Sequence, residues 1–182
     1  NSSGTFNVSQ AGNPAGSTTV EYMIVAGGGS GGGFIGGGGG GGGQLGNYPS
    51  PAFGGQPVSA TSYPVTVGGG GASSMTSSEN IPGNQGQSSS ALGITAAGGG
   101  ASAGKKYTDP IPTFAGGSGG GAGFSNPSPK SGGAGNTPPA SAPATPVQGF
   151  PGGSSTAPSG QATGGGGGSG QAGFSGNIPD PR

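Results

Sequence analysis

Very few side chains in this sequence could carry chemistry. Its acids are Glu21, Glu79, Asp109 and Asp180, and neither histidine nor cysteine accompanies them. Paired carboxylates cleave glycosidic bonds when they stand roughly 5–10 Å apart. Glu21 falls in a strand pattern and Asp180 in the C-terminal stretch, so Glu79 with Asp109 is the loop pair to test; solvated loop charges are the plainer reading. A zinc-type site would find no His or Cys ligand, and no cluster of oxygens marks a Ca²⁺ loop. GxGxxG patterns recur from composition alone. A dinucleotide site also needs a helix after the glycine turn of a βαβ unit. The glycine after Val25 follows a strand pattern but leads into no helix. Gly104–Lys105 is followed by Lys106, not by Ser or Thr, so the phosphate-loop pattern fails too. The expectation is a protein that is not an enzyme and uses no cofactor and no metal.

Contact chemistry is better supplied. Tyr48, Phe53, Tyr107, Phe114, Phe124 and Phe150 stand in or beside stretches between glycine runs. Exposed aromatics make good contact anchors, because they offer large area at low entropic cost. The alternative is that they close the structure as small hydrophobic caps, and the sequence leaves both open. Lys105–Lys106–Tyr107 groups cations with an aromatic and suits acidic lipopolysaccharide or an acidic protein loop. Charged residues are 4% of the chain and the formal net charge is zero. That composition lacks the basic stripe of a nucleic-acid binder. No apolar run approaches the roughly 20 residues of a membrane span.

The elements that must position these residues are made largely of glycine. There are 52 Gly and 18 Pro in 182 residues, above the roughly 25–30% that marks low complexity. The phrase VEYMIVAGGGSGGGFIGGGGGGGG, from Val20 to Gly43, runs an apolar strand into glycine and ends in the unbroken run Gly36 to Gly43. Each interior glycine costs a helix about 1 kcal/mol against alanine. A strand gains little from a residue with no side chain to pack. Apolar burial is also a weak resource here: about 1.5–3 kcal/mol per large side chain against about 1–2 kcal/mol of backbone entropy per residue.

The grammar repeats without a fixed period. Thr19 to Ala26 is the clearest strand pattern, Tyr63 to Val67 a second and Leu92 to Ala97 a third, and glycine follows each. Phe6 and Val8 alternate as in a short edge strand. Residues 1–18 read as a connector to an upstream region, 19–173 as the glycine-rich domain and 174–182 as a tail. Asn1 is not a start residue, and a fragment or processed product is expected. No Gly-X-Y period supports a collagen helix. What remains is a fold that is irregular and mostly non-α: packed polyglycine-II segments, resembling polyproline II, with a few short β-strands and long edge loops. Such a segment has no internal hydrogen bonds, so its buried N–H and C=O groups must pair with neighbours. Only glycine lets backbones come that close on every side.

VEYMIVAGGGSGGG, YPVTVGGGGA, ITAAGGGASAG, QGFPGGSS and GGGGGSGQAG occur in that order. This set resembles the glycine-rich domain of bacteriophage tail-fibre proteins, including the tail-fibre-tip adhesins of T-even-like phages. The resemblance covers about residues 19 to 173. It implies a rigid slab of layered polyglycine-II helices whose edge loops touch a bacterial surface protein or glycan. It also implies a virion, extracellular setting, other fibre subunits as neighbours, self-assembly as a further contact, and no membrane insertion. The chain departs from that pattern by showing no separate fibre-attachment domain and by its long Pro/Ala/Thr stretch from Asn136 to Pro146. The receptor-contact candidates are Tyr48, Phe53, Lys105, Lys106, Tyr107, Phe114, Phe124 and Phe150. Two other functions fit the composition: a purely structural virion fibre or extracellular filament, and an ice-binding glycine bundle. The last would need a flat face of regularly spaced Thr or Ala.

Overall fold

The computed structural model describes residues 2–13, 15–47, 55–74, 81–105, 115–124, 129–140, 147–156 and 162–177. Among these there is no helix. Extended glycine-rich segments, here called rods, make up most of the structure. They are I (26–33), II (36–43), III (67–72), IV (81–88), V (97–104), VI (115–123), VII (130–135), VIII (148–155), IX (162–168) and X (172–177).

The rods are recognised by how they bond. Rod II donates to rod V from Gly37, Gly40 and Gly43, to the carbonyls of Ala103, Gly100 and Ala97. It donates to rod IX from Gly38 and Gly41, to Gly164 and Gly167. Each partner is met again after three residues. That is the repeat of a helix with three residues per turn and no internal hydrogen bonds. Every buried amide must then find its carbonyl on another rod. The expected polyglycine-II packing is what the chain forms.

Pairings fix the layers. Rod I bonds to II (Gly29 to Gly40), to IV (Ser30 to Asn84) and, as acceptor, to III (Gly71 to Gly28) and V (Gly99 to Gly27). Rod VI bonds to II, V, VII, VIII and IX, and X bonds to VIII and IX. These contacts describe a slab in which III, I, II, IX and X form one layer and IV, V, VI and VIII a second. Rod VII lies against VI and VIII. Rods V and VI are buried along 97–104 and 116–123. Glycine is compulsory at many of the contacts between rods: a Cβ added to Gly40, Gly99, Gly120 or Gly152 would meet a backbone carbonyl oxygen of a neighbouring rod well inside 3.0 Å.

Bond order also gives direction. I, III, V, VI, VIII and X run one way, and II, IV, VII and IX the other. The rod ends therefore collect at two ends of the slab. One end carries all the strands found among the described residues. There β1 (Gly4–Asn7) pairs with β6 (Ser62–Val65), β2 (Thr19–Val20) with β5 (Gln56–Pro57), β3 (Met23–Val25) with β4 (Gln44–Gly46), and β7 (Ser89–Ala91) with β8 (Ile94–Ala96), all antiparallel. Strands β3, β6 and β8 lead into rods I, III and V, so the strand-then-glycine phrases are structural units.

Boundaries differ from the sequence expectation. The pattern over Thr19 to Ala26 splits into β2 and β3, because Tyr22 donates its N–H to the Asn47 side chain at 2.8 Å instead of to a strand. Leu92 leaves its expected strand for the turn between β7 and β8, where it and Gly93 have φ of 55° and 78°. β1 is docked on β6, with the Phe6 and Tyr63 rings 6.2 Å apart.

The apolar cluster is small and lies at the strand end: Ile24, Ala26, Leu45 and Ala96, with Tyr22, Ala91, Ile94 and Ala140 packed against it. Gln148, 1% exposed, closes this end with polar bonds. It accepts from Ala97 N–H at 2.8 Å and donates to the Pro138 carbonyl.

Candidate receptor-contact end

At the opposite end, rods I and II are joined by Phe34 and Ile35 alone. This is the tightest of the inter-rod links, although longer loops were expected at each crossing. Reversing direction in two residues requires left-handed backbone, and φ is 32° at Phe34 and 52° at Ile35. Left-handed backbone costs a residue with a Cβ roughly 1–2 kcal/mol, and a β-branched residue there is an outlier. Glycine would take this conformation freely, and it occupies every other position from Gly31 to Gly43.

Around that turn, rods V and VI end. Lys105 donates its N–H to the Phe34 carbonyl at 3.2 Å, and Phe124 donates to that of Ile35 at 3.0 Å. The Lys105 ammonium lies 4.9 Å from the Phe34 ring centroid and 6.0 Å from that of Phe124. Cation–π attraction at that range contributes about 0.5–1 kcal/mol at exposed sites. Phe34 is 44% exposed, and Lys105, Phe124 and Ile35 are half-buried. Lys130 begins rod VII at this same end, its backbone exchanging bonds with Ser155. Glu21, the described carboxylate, is exposed at the strand end.

The fold thus brings two of the sequence candidates, Lys105 and Phe124, onto one cluster. Phe150 is elsewhere. It sits inside rod VIII towards the strand end, half-buried, donating to Gly168 and accepting from Gly119. Tyr48, Phe53, Lys106, Tyr107 and Phe114 lie outside the described residues, as do Glu79, Asp109 and Asp180. Phe34 and Ile35 were not among the sequence candidates. The signal that could have found them is the interruption itself, two large apolar residues set into a glycine run.

Side-chain hydroxyls tie the rods leading to this end. Ser102 accepts from Gly32 N–H at 2.6 Å and donates to the Gly37 carbonyl, linking rods I, II and V. Ser74 donates to Gly31 at 2.9 Å, and Ser155 to Ala162 at 2.8 Å. The aromatic turn therefore stands on cross-linked backbone.

Among the described residues a main-chain lattice thus carries strands at one end, where a hollow is lined by Phe6, Val8, Thr19, Val20 and Val58, and a cationic aromatic turn at the other. The chain belongs to a family of glycine-rich domains, whose model matches residues 1–181. No curated protein matches it. No solved structure matches it either.

Proposed function

We propose that this is a bacteriophage tail-fibre or adhesin domain whose loop end binds a receptor on the bacterial surface. One observation carries the reading. The turn at Phe34–Ile35 keeps two large side chains where glycine would be easier to fold. Strained backbone is retained where the surrounding structure holds it for a purpose. Phe34 is partly open to solvent with Lys105 beside it, and Lys130 adds a second cation to the same end. Aromatic anchors among cations suit an acidic envelope glycan or an acidic protein loop. The slab supplies a rigid support, and function sits on the loops it carries. On this reading the domain is non-enzymatic, extracellular and part of a virion. Ice binding gains no support, because the outward positions along the middle of the flat face formed by rods I and II are glycine (Gly28, Gly31, Gly38 and Gly41), not Thr or Ala.

The test is a binding assay of the intact chain against envelope fractions from a panel of bacterial strains. Phe34→Gly with Ile35→Gly should abolish binding to any fraction that the parent binds, and the variant should melt no lower than the parent. Binding retained by this folded variant, or a parent that binds no fraction, would overturn the reading.

A further inference from the structure

Glycine fills most positions where rods touch, with Ala101, Ser102, Ala103, Ser118 and Ala122 buried among them, yet it also persists where rods do not touch. On the outer side of the layer formed by III, I, II, IX and X, every third residue of rods I, II and IX faces outward, exposed at Gly31, Gly38 and Gly41 and half-buried at Gly28, Gly165 and Gly168; at Gly38 an added Cβ would still meet the Gly166 nitrogen at 2.9 Å. A Cβ built on Gly28, Gly41, Gly165 or Gly168 would have its nearest neighbour at 3.5, 3.6, 3.5 and 3.7 Å. These are ordinary contacts. The isolated chain would tolerate alanine or serine at such sites, and each replaced glycine would also lower the entropy lost on folding. Exposed rod positions elsewhere do carry side chains: Gln85 and Ser88 on rod IV, and Ser131 and Ala134 on rod VII.

Small residues alone specify no partner. Two independent features of the same face do. First, of the exposed large apolar side chains (Phe6, Met23, Val25, Phe34, Val67, Val147 and Phe174), four stand at its borders. Val25 (50% exposed) and Val67 (40%) continue the outward register of rods I and III. Met23 (67%) lies beside them, its sulfur contacted by the outward Gln44, and Phe174 (80%) borders Gly165 on rod X. These side chains add apolar contact area at the two borders of the face. Second, the backbone N–H groups of Gly28, Gly31, Gly39 and Gly42 donate to no carbonyl among the described residues. A bare floor with free donors suits one kind of occupant above others, another bare backbone. Inside the slab this arrangement is filled by a further rod.

We propose that this face packs against the same face of a second copy of the chain. The described part of the face bears no charged side chain, since Glu21, Lys105 and Lys130 lie at the slab ends, so two copies meet without like-charge repulsion. A two-fold pairing uses one patch twice and closes without further growth. Glycine at the outward positions lets the two backbone layers approach as rods approach within a layer. The Val25–Val67 and Phe174 borders bury their apolar area at the rim. The pairing is independent of any receptor at the loop end.

Sedimentation velocity of the intact chain over a concentration series tests this. The parent should form a dimer. Gly28→Asp with Gly41→Asp sets like charges against each other across the pairing and should weaken the dimer at least about tenfold. Ser131→Asp, on rod VII away from this face, should leave it unchanged. A parent that stays monomeric to its solubility limit overturns the proposal, and so does a double variant that pairs as tightly as the parent. If the aspartates prevent folding, Phe174→Ser with Val25→Thr replaces them; a dimer of parental strength in that variant overturns the proposal equally.

Discussion

The two ends of the slab are stabilised in different ways. The strand end is organised by side chains: Ile24, Leu45 and Ala96 form an apolar plug under short antiparallel strands, and Gln148 and Asn47 satisfy the backbone groups that the strands leave over. The loop end has no strand and no member of that plug among the described residues. It is held by rods bonded to rods, with Ser102, Ser74 and Ser155 as ties. Side chains at the strand end are committed to the fold. Apart from the serine ties, the loop end has no such plug, so the exposed Phe34 can be chosen for what it touches. Between the two ends the interior is main chain, and that is what lets them be specified separately.

Breaking the shared interior should have the largest effect. Gly120→Ala puts a methyl group against the Ala101 carbonyl, a backbone obstacle that no rotamer change relieves. The loss should exceed the about 1–3 kcal/mol usual for an overpacked core, and thermal unfolding should lose its cooperative transition. Next is the plug itself. Leu45 is 2% exposed, and Leu45→Ala should cost about 2–5 kcal/mol by chemical denaturation. Envelope binding at the loop end, measured below the melting point, should be unchanged. The converse variant, Phe34→Gly with Ile35→Gly, should raise stability by about 1–2 kcal/mol per residue through relief of left-handed strain. A fall in melting temperature would show that these side chains support the fold after all, and the contrast between the ends would fail.

The smallest effect concerns Tyr22, whose hydroxyl is buried without a hydrogen-bond partner among the described residues. Burial raises its pKa above the ordinary tyrosine value of 10.0. A group whose pKa is higher folded than unfolded supports the fold below its unfolded value and loses that support as pH rises. Stability should therefore fall as pH rises beyond about 10. Tyr22→Phe should flatten that alkaline limb and leave neutral-pH stability equal or slightly improved, since it removes an unsatisfied polar atom. Melting curves of both proteins from neutral to alkaline pH would measure this.

Much of the architecture is legible in the sequence because glycine has so few structural uses at this density. Gly36 to Gly43 forms neither a stable helix nor a packed strand, and extended segments paired to neighbours remain. Apolar phrases before the glycine runs mark where rods I, III and V begin. The limits of the strands are less legible. Asn47 lies far from Tyr22 in sequence, yet its side chain takes the Tyr22 amide and divides the Thr19–Ala26 pattern. The site is legible in part. Lys105 and Phe124 stand out as a cation and an aromatic beside glycine. Their meeting over Phe34 depends on V and VI ending beside the I–II turn, a fact of lateral order. Phe150 shows the opposite failure, because a proline and glycines follow it and suggest a loop, while its own backbone is a rung between rods VI and IX.

Composition alone thus determined the kind of interior: a chain with this much glycine and so little apolar volume can bury main chain or nothing. Which rod lies beside which, and so which residues share an end or an open face, was decided only in the tertiary structure. The physical reason is that one glycine rod offers the same donors, acceptors and width as any other. Local sequence cannot choose among such partners, and the choice falls to the serines, turns and terminal plug that differ from rod to rod.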